Sequence, residues 1–175
     1  FFVMTETKKK GRGRPKGAPN KPKLELVSER KELTNDADVY EILCQAEIVA
    51  KDSEELAAQG LKVFSERNGA VRFILQWVFD DNIQSTLPEG KTPYNQDDAP
   101  ATDLAPTSLR FETRLFKYFC TEEIAQTRRE TMWIQLLEGI PSKEAELMDL
   151  VKDGVWPFKN ITKNVAQKAF PEVIK

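Results

Sequence analysis

From Val39 onward the apolar residues recur every three or four positions, which is the period of a helix buried along one side. Val39, Ile42, Leu43, Ala46 and Val49 form the first such stripe, with Asn35 or Asp36 placed to cap it. A second helix is expected from Asp52, with Glu55 three residues on as a capping-box partner. Leu56, Ala57, Leu61 and Phe64 face inward in that reading, and Asn68-Gly69 is the stop. Ala70 to Phe79, AVRFILQWVF, is the most apolar run of the chain. Periodicity leaves strand and helix open there, and its helical neighbours favour helix.

After Phe79 the pattern breaks. Pro88, Pro93 and Pro100 interrupt an irregular loop over 80–105, in which Tyr94 is the expected apolar anchor. Pro106 then suits the first turn of a helix carrying Leu109, Leu115, Phe116 and Phe119. Thr121, with Glu122 and Glu123, opens another that runs to Glu138 and stops at Gly139, its apolar side being Ile124, Met132, Trp133, Leu136 and Leu137. Ser142 caps a helix through Glu144, Leu147, Met148 and Val151 that ends at Asp153-Gly154. Thr162 starts a last short one with Val165, Ala166 and Ala169, closed by Phe170-Pro171. The expectation is an all-α fold: a compact bundle of six or seven short helices over 34–175, with Trp77, Trp133 and Trp156 in its core.

Charge changes this picture by dividing the chain. Residues 1–23 hold eight Lys/Arg and one acid, a net of +7, and the other 18 basic and 27 acidic residues leave −9. Residues 1–33 therefore read as a disordered basic tail and 34–175 as an acidic domain that duplex DNA repels. The absence of histidine removes the commonest general base and metal ligand. Cys44 and Cys120 lack CxxC spacing and are expected as reduced, buried thiols. Phe1-Phe2-Val3 has neither the charged lead nor the length of a signal peptide, Met4 is the expected initiator, and no apolar run approaches a membrane span.

The tail carries Arg12-Gly13-Arg14-Pro15-Lys16-Gly17, flanked by Lys8, Lys9, Lys10, Lys21 and Lys23. Gly13 lacks a Cβ, so the backbone can approach the floor of a narrow A/T minor groove while Arg12 and Arg14 run along it in opposite directions. Pro15 biases Arg14 toward an extended conformation, and the flanking lysines lie near phosphates, adding charge but no sequence reading. These residues resemble the AT-hook, a short DNA-binding peptide of chromatin-associated proteins, which implies A/T-rich double-stranded DNA as the partner.

Two constellations in the body are candidates for chemistry. Asp80, Asp81, Glu89, Asp97 and Asp98 are oxygen donors of the kind that hold Mg²⁺ in nucleases, although they lie in the least regular stretch and read more readily as a solvated acidic loop. Arg128, Arg129, Gln135 and Glu138 fall partly on one helical face and, with Tyr94, are candidates for gripping a partner or a nucleotide, although such a stripe reads more readily as a solvated face with local ion pairs.

Leu87-Pro88-Glu89-Gly90, Pro93-Tyr94, Asp98-Ala99-Pro100, Arg129-Glu130, Ile134 to Gly139, Glu144-Ala145-Glu146, Lys152-Asp153 and Val165 to Phe170 together resemble an uncharacterised family of small proteins from T4-like myoviruses, many infecting marine cyanobacteria. The resemblance spans roughly residues 70–171 and leaves the tail outside it. It implies a phage origin and the cytoplasm of the infected bacterium, and it implies no activity. The function expected is a non-enzymatic phage accessory protein, without cofactor, that binds A/T-rich DNA through the tail and an unidentified phage or host protein through the body. The alternatives are an interaction or virion-assembly module with no sequence preference, and a Mg²⁺-dependent nucleic-acid enzyme using the acidic loop.

Overall fold

The structure, a computed structural model, describes residues 24–95 and 104–175. Among these are seven α-helices and no strand: α1 (Val39–Asp52), α2 (Glu54–Ser65), α3 (Ala70–Phe79), α4 (Phe116–Phe119), α5 (Gln126–Gly139), α6 (Ser142–Lys152) and α7 (Lys163–Ala169). The all-α expectation holds, and the ambiguous run over 70–79 is a helix.

Capping chemistry sets where the first helices begin. Asn35 and Asp36 are spent in a turn closed by Ala37 N–H donating to Thr34 O at 3.2 Å, so Asp38 caps α1 instead, accepting from Glu41 N at 2.8 Å. Helix α1 runs on through Asp52, and the extended Ser53 caps α2 by accepting from Leu56 N. Leu56, expected inside, is 60 % exposed. Helix α6 begins at Ser142 itself, preceded by Pro141, and ends as expected where Gly154 adopts φ +75°, a conformation that costs a residue with a Cβ more than glycine. Thr162 caps α7 as expected.

Two expected helices are shorter than their sequence pattern. The segment after Pro106 forms a 3₁₀ turn (Leu109–Phe111), a second (Thr113–Leu115) and the single-turn α4 in place of one helix. Distant groups hold its start: Thr107 N donates to Gly139 O at 3.1 Å and Leu109 N to Glu144 Oε1 at 3.1 Å, and the chain bends at Glu112. Helix α5 starts at Gln126 rather than Thr121, because the carbonyls of Phe119 and Thr121 already accept from the Thr86 hydroxyl of the crossing loop.

Helix α1 packs on α2, α3 and α6, α2 packs on α7, and α5 packs on α6. Between them lies a chain of edge-to-face aromatics from Phe73 through Phe116 and Trp77 to Trp133 and Phe119, with successive centroids 5.9, 6.2, 6.2 and 4.9 Å apart. Trp156, between Phe79 and Phe158, ties the turn after α6 to the same core.

The body starts earlier than the expected boundary at 34. Residues 24–33 carry no regular structure yet lie along α1 as a strap: Leu24 is buried, and Leu26, Val27 and Leu33 pack on the core. Tyr40 donates its hydroxyl to Glu25 O, and Gln45 donates to Glu29 O at 3.0 Å while its Oε1 accepts from Lys31 N at 3.0 Å. Alternate polar residues hid this, since the strap satisfies its backbone through α1 side chains and not through a periodic pattern.

Candidate functional site

The hook residues Arg12, Gly13, Arg14, Pro15, Lys16 and Gly17, with Lys8, Lys9, Lys10, Lys21 and Lys23, lie outside the described residues, as do Asp97 and Asp98 of the acidic loop. What the structure fixes is the place where the tail joins the body, at buried Leu24 beside Tyr40. The Tyr40 hydroxyl titrates well above its ordinary range, chiefly because it is withdrawn from water, so it stays a neutral donor at that junction.

The loop after α3 is held by charge rather than by apolar packing alone. The fully buried ammonium of Lys152 donates to Pro88 O at 2.9 Å, Gly90 O at 2.7 Å and Asp153 Oδ1 at 2.7 Å, while Asp153 accepts from Gly90 N. Two residues on, Thr92 donates its N–H and its hydroxyl to Asp149 and accepts from Trp133 Nε1 at 2.9 Å. Burial raises the Asp149 carboxyl and the Thr92 bonds pull it down, the first effect being the larger. Asn95 N then donates to Glu138 Oε2 at 2.8 Å. The Leu87-Pro88-Glu89-Gly90 and Lys152-Asp153 motifs are thus two halves of one clasp.

Asp80, Asp81 and Glu89 line one cleft of about 410 Å³ with Lys152 and Asp153. They do not converge there: among the described residues no three acidic or sulfur ligands could hold a metal ion. Asp80 Oδ1 instead accepts from Asn82 N at 2.9 Å in a turn, and Asp81 reaches Lys163 at 3.9 Å.

The expected polar face on α5 separates into two ends. Tyr94 is half-buried against the core, its hydroxyl pushed up to about 12 by burial, and it sits beside Asn95 at the Glu138 end. Arg128 lies in the first turn, ten residues and about 15 Å away along the helix. Arg128 and Gln135 are exposed, whereas Arg129 is 5 % exposed and so is not part of a surface stripe. Its Nη1 donates to Ile124 O at 3.0 Å, and its Nε is buried without an acceptor among the described residues.

A larger concavity lies elsewhere, a groove of about 990 Å³ between the strap, α1 and α2, whose floor includes Ile42, Val49, Leu61 and Phe64 and whose rim includes Arg30, Lys31 and Leu56. Leu56 and, further along α2, Val63 are large apolar side chains left more than half exposed. Nothing in the period of α2 marks them, because a buried and an exposed leucine occupy the same kind of position until the neighbour that covers one of them is known. Among the described residues no helix is long and apolar enough to cross a membrane. Both cysteines are free, and burial pushes the Cys44 thiol up and the Cys120 thiol up to about 12.

Compared with known proteins, the chain matches the model of a family of unknown function (DUF6433) over residues 49–156, from the end of α1 to the turn after α6. Neither the curated proteins nor the solved structures give a match. The matched span contains both halves of the loop clasp and the whole of α5, and it excludes the tail and the strap.

Proposed function

The chain belongs to DUF6433, a family of unknown function, and from that premise we propose that it is a non-enzymatic accessory protein of a T4-like bacteriophage that works in the cytoplasm of the host. Its tail tethers it to A/T-rich duplex DNA through Arg12 and Arg14, and its helical body holds a second protein. The observation that carries this reading is an Arg-Gly-Arg-Pro core with lysines on both sides, joined to a body of net charge −9. Such a body is repelled by DNA, which leaves the tail as the contact and the body free for another partner.

The anchored strap supports the division of labour. A tail that leaves the body at a buried residue carries its hook at most about 35 Å from that point, since Arg14 and Leu24 are ten residues apart in sequence. The exposed apolar side chains beside the groove of α1 and α2 favour that face for the protein partner. One hook supplies an affinity near the non-specific range of about 10⁻⁴ to 10⁻⁶ M, so occupancy depends on a further contact.

Competition tests the reading. Poly(dA·dT) should displace a labelled A/T duplex far better than poly(dG·dC) or polyglutamate, and Arg14→Ala should erase that difference. Replacing one flanking lysine should lower the salt slope by about 1 and leave the preference unchanged. Equal displacement by all three polyanions would leave a protein-interaction or virion-assembly module whose tail answers only to negative charge.

A further inference from the structure

Helix α5 starts without the oxygen that Asp38 supplies to α1, Ser53 to α2 and Thr162 to α7. Its cap is Ala125, and the N–H groups of Gln126, Thr127 and Arg128 receive no bond from a capping side chain. These three residues are exposed, and no acid stands in the first turn. Arginines 128 and 129 stand there instead, where the positive end of the helix dipole disfavours a cation.

Arg129 provides a second, separate observation. It is nineteen-twentieths buried, at 5 % exposure, and its side chain folds back toward the start of the helix, with Nη1 on the carbonyl of Ile124, the residue before the cap. Among the described residues its Nε has no acceptor and no carboxylate forms an ion pair with it, including its buried neighbour Glu130. A guanidinium covered this deeply and held by one carbonyl is stabilised when a counter-charge is brought beside it.

We propose that the first turn of α5 is an oxyanion site built for a phosphate group. The N–H groups of Gln126, Thr127 and Arg128 are its donors, the exposed Arg128 guanidinium closes it from solvent, and Arg129 supplies the counter-charge from beneath. A phosphate suits this set better than a carboxylate, because three backbone donors and two cations call for several acceptor oxygens and up to two negative charges. The phosphate comes either from a nucleic-acid backbone or from a small phosphorylated ligand. The inference stands apart from the hook, since none of the tail residues contributes to it.

Amide NMR of the full chain tests it, using an Arg12→Ala/Arg14→Ala variant to remove the hook. Inorganic phosphate should shift the amides of Gln126, Thr127 and Arg128 and the Nε–H of Arg129 saturably, beyond chloride at equal ionic strength. Arg129→Gln should weaken this about tenfold. Because that variant removes a buried group and is at risk of misfolding, Ala125→Asp gives a second reading. It places a carboxylate at the cap, so it should raise the melting temperature without ligand and weaken phosphate binding at least about tenfold. If a duplex moves the same amides of the hook-less chain, the phosphate is that of a backbone; if only free phosphate does, the ligand is small, and both results support the site. No saturable shift with either, or an Ala125→Asp chain that binds as tightly as its parent, overturns it.

Discussion

Glu144→Gln tests how the core is held at its most polar point. Glu144 is fully buried on α6, and its two oxygens accept from the first N–H of α1, Val39 N at 3.0 Å, and from Leu109 N at 3.1 Å. Burial, with Asp38 adding to it, pushes its carboxyl from 4.5 up to about 8, against the pull of the two N–H groups and Arg110. Between those values the folded chain keeps a proton that the unfolded chain has lost. The contribution to stability is therefore full below 4.5 and disappears as pH rises through about 8. At about 1.4 kcal/mol per unit, allowing for partial titration of the unfolded state near pH 5, the loss between pH 5 and 7 is about 2 kcal/mol. Glutamine does not titrate, and it turns an NH₂ toward one of the two donors, which costs about 1–3 kcal/mol at every pH. The variant should thus be clearly weaker at pH 5 and close to the parent at pH 7, the gap narrowing by about 4–8 °C in Tm. Urea unfolding followed by the fluorescence of the three tryptophans, at pH 5, 6 and 7 for both chains, gives the difference and cancels other titrating groups such as Asp149. Curves that run parallel across this range would show that Glu144 is ionised in the fold, and the reasoning would fail.

Lys152→Met should cost about 3–5 kcal/mol, because it leaves two loop carbonyls without their donor and takes the counter-charge from Asp153, and hydrogen exchange at Gly90 and Thr92 should accelerate before that of α5. With its thiol pushed up to about 12 and only partly accessible, Cys120 should react with a disulfide reagent at pH 8 at least about tenfold more slowly than the same residue in the urea-unfolded chain. Leu56→Glu, at a 60 % exposed position, should change stability by no more than about 0.5 kcal/mol while abolishing capture of the protein partner proposed for that groove. Tyr40→Phe should loosen the strap by about 1 kcal/mol, seen as faster proteolysis between residues 24 and 33 with the helical melt little changed.

The helices that sequence reading places well are those whose ends are local. The first turn of α7 is closed by its own Thr162, α6 stops at a glycine with positive φ, and α3 is too apolar to be anything but buried. Where the ends are set by residues far along the chain, the periodic signal misleads. Leu109, Phe116 and Phe119 sit at helical intervals and are all buried, yet Glu144 and Gly139 fix the chain at 107–109 and the continuous helix gives way to short turns. The strap is the same case in reverse, since its contacts with Tyr40 and Gln45 span about fifteen residues and leave no period to read.

The buried ionisable side chains were legible only as letters in surface-looking patterns. Glu144, Lys152 and Arg129 each stand one or two residues from another ionisable group on an amphipathic helix, and charge on such a helix ordinarily means solvent. Burial sets different demands on the three. Glu144 meets its demand with two helix-start N–H groups, and Lys152 with two carbonyls and an aspartate. Each therefore pins elements more than thirty residues apart, through polar atoms that match the donors or acceptors they touch. Arg129 touches one carbonyl close in sequence and joins no distant element, so the same rule that accounts for the other two leaves its charge unaccounted for within the described fold. That asymmetry directs attention to the start of α5, because a fold that gives the buried Glu144 and Lys152 specific distant partners leaves the Arg129 cation open to an anion from outside.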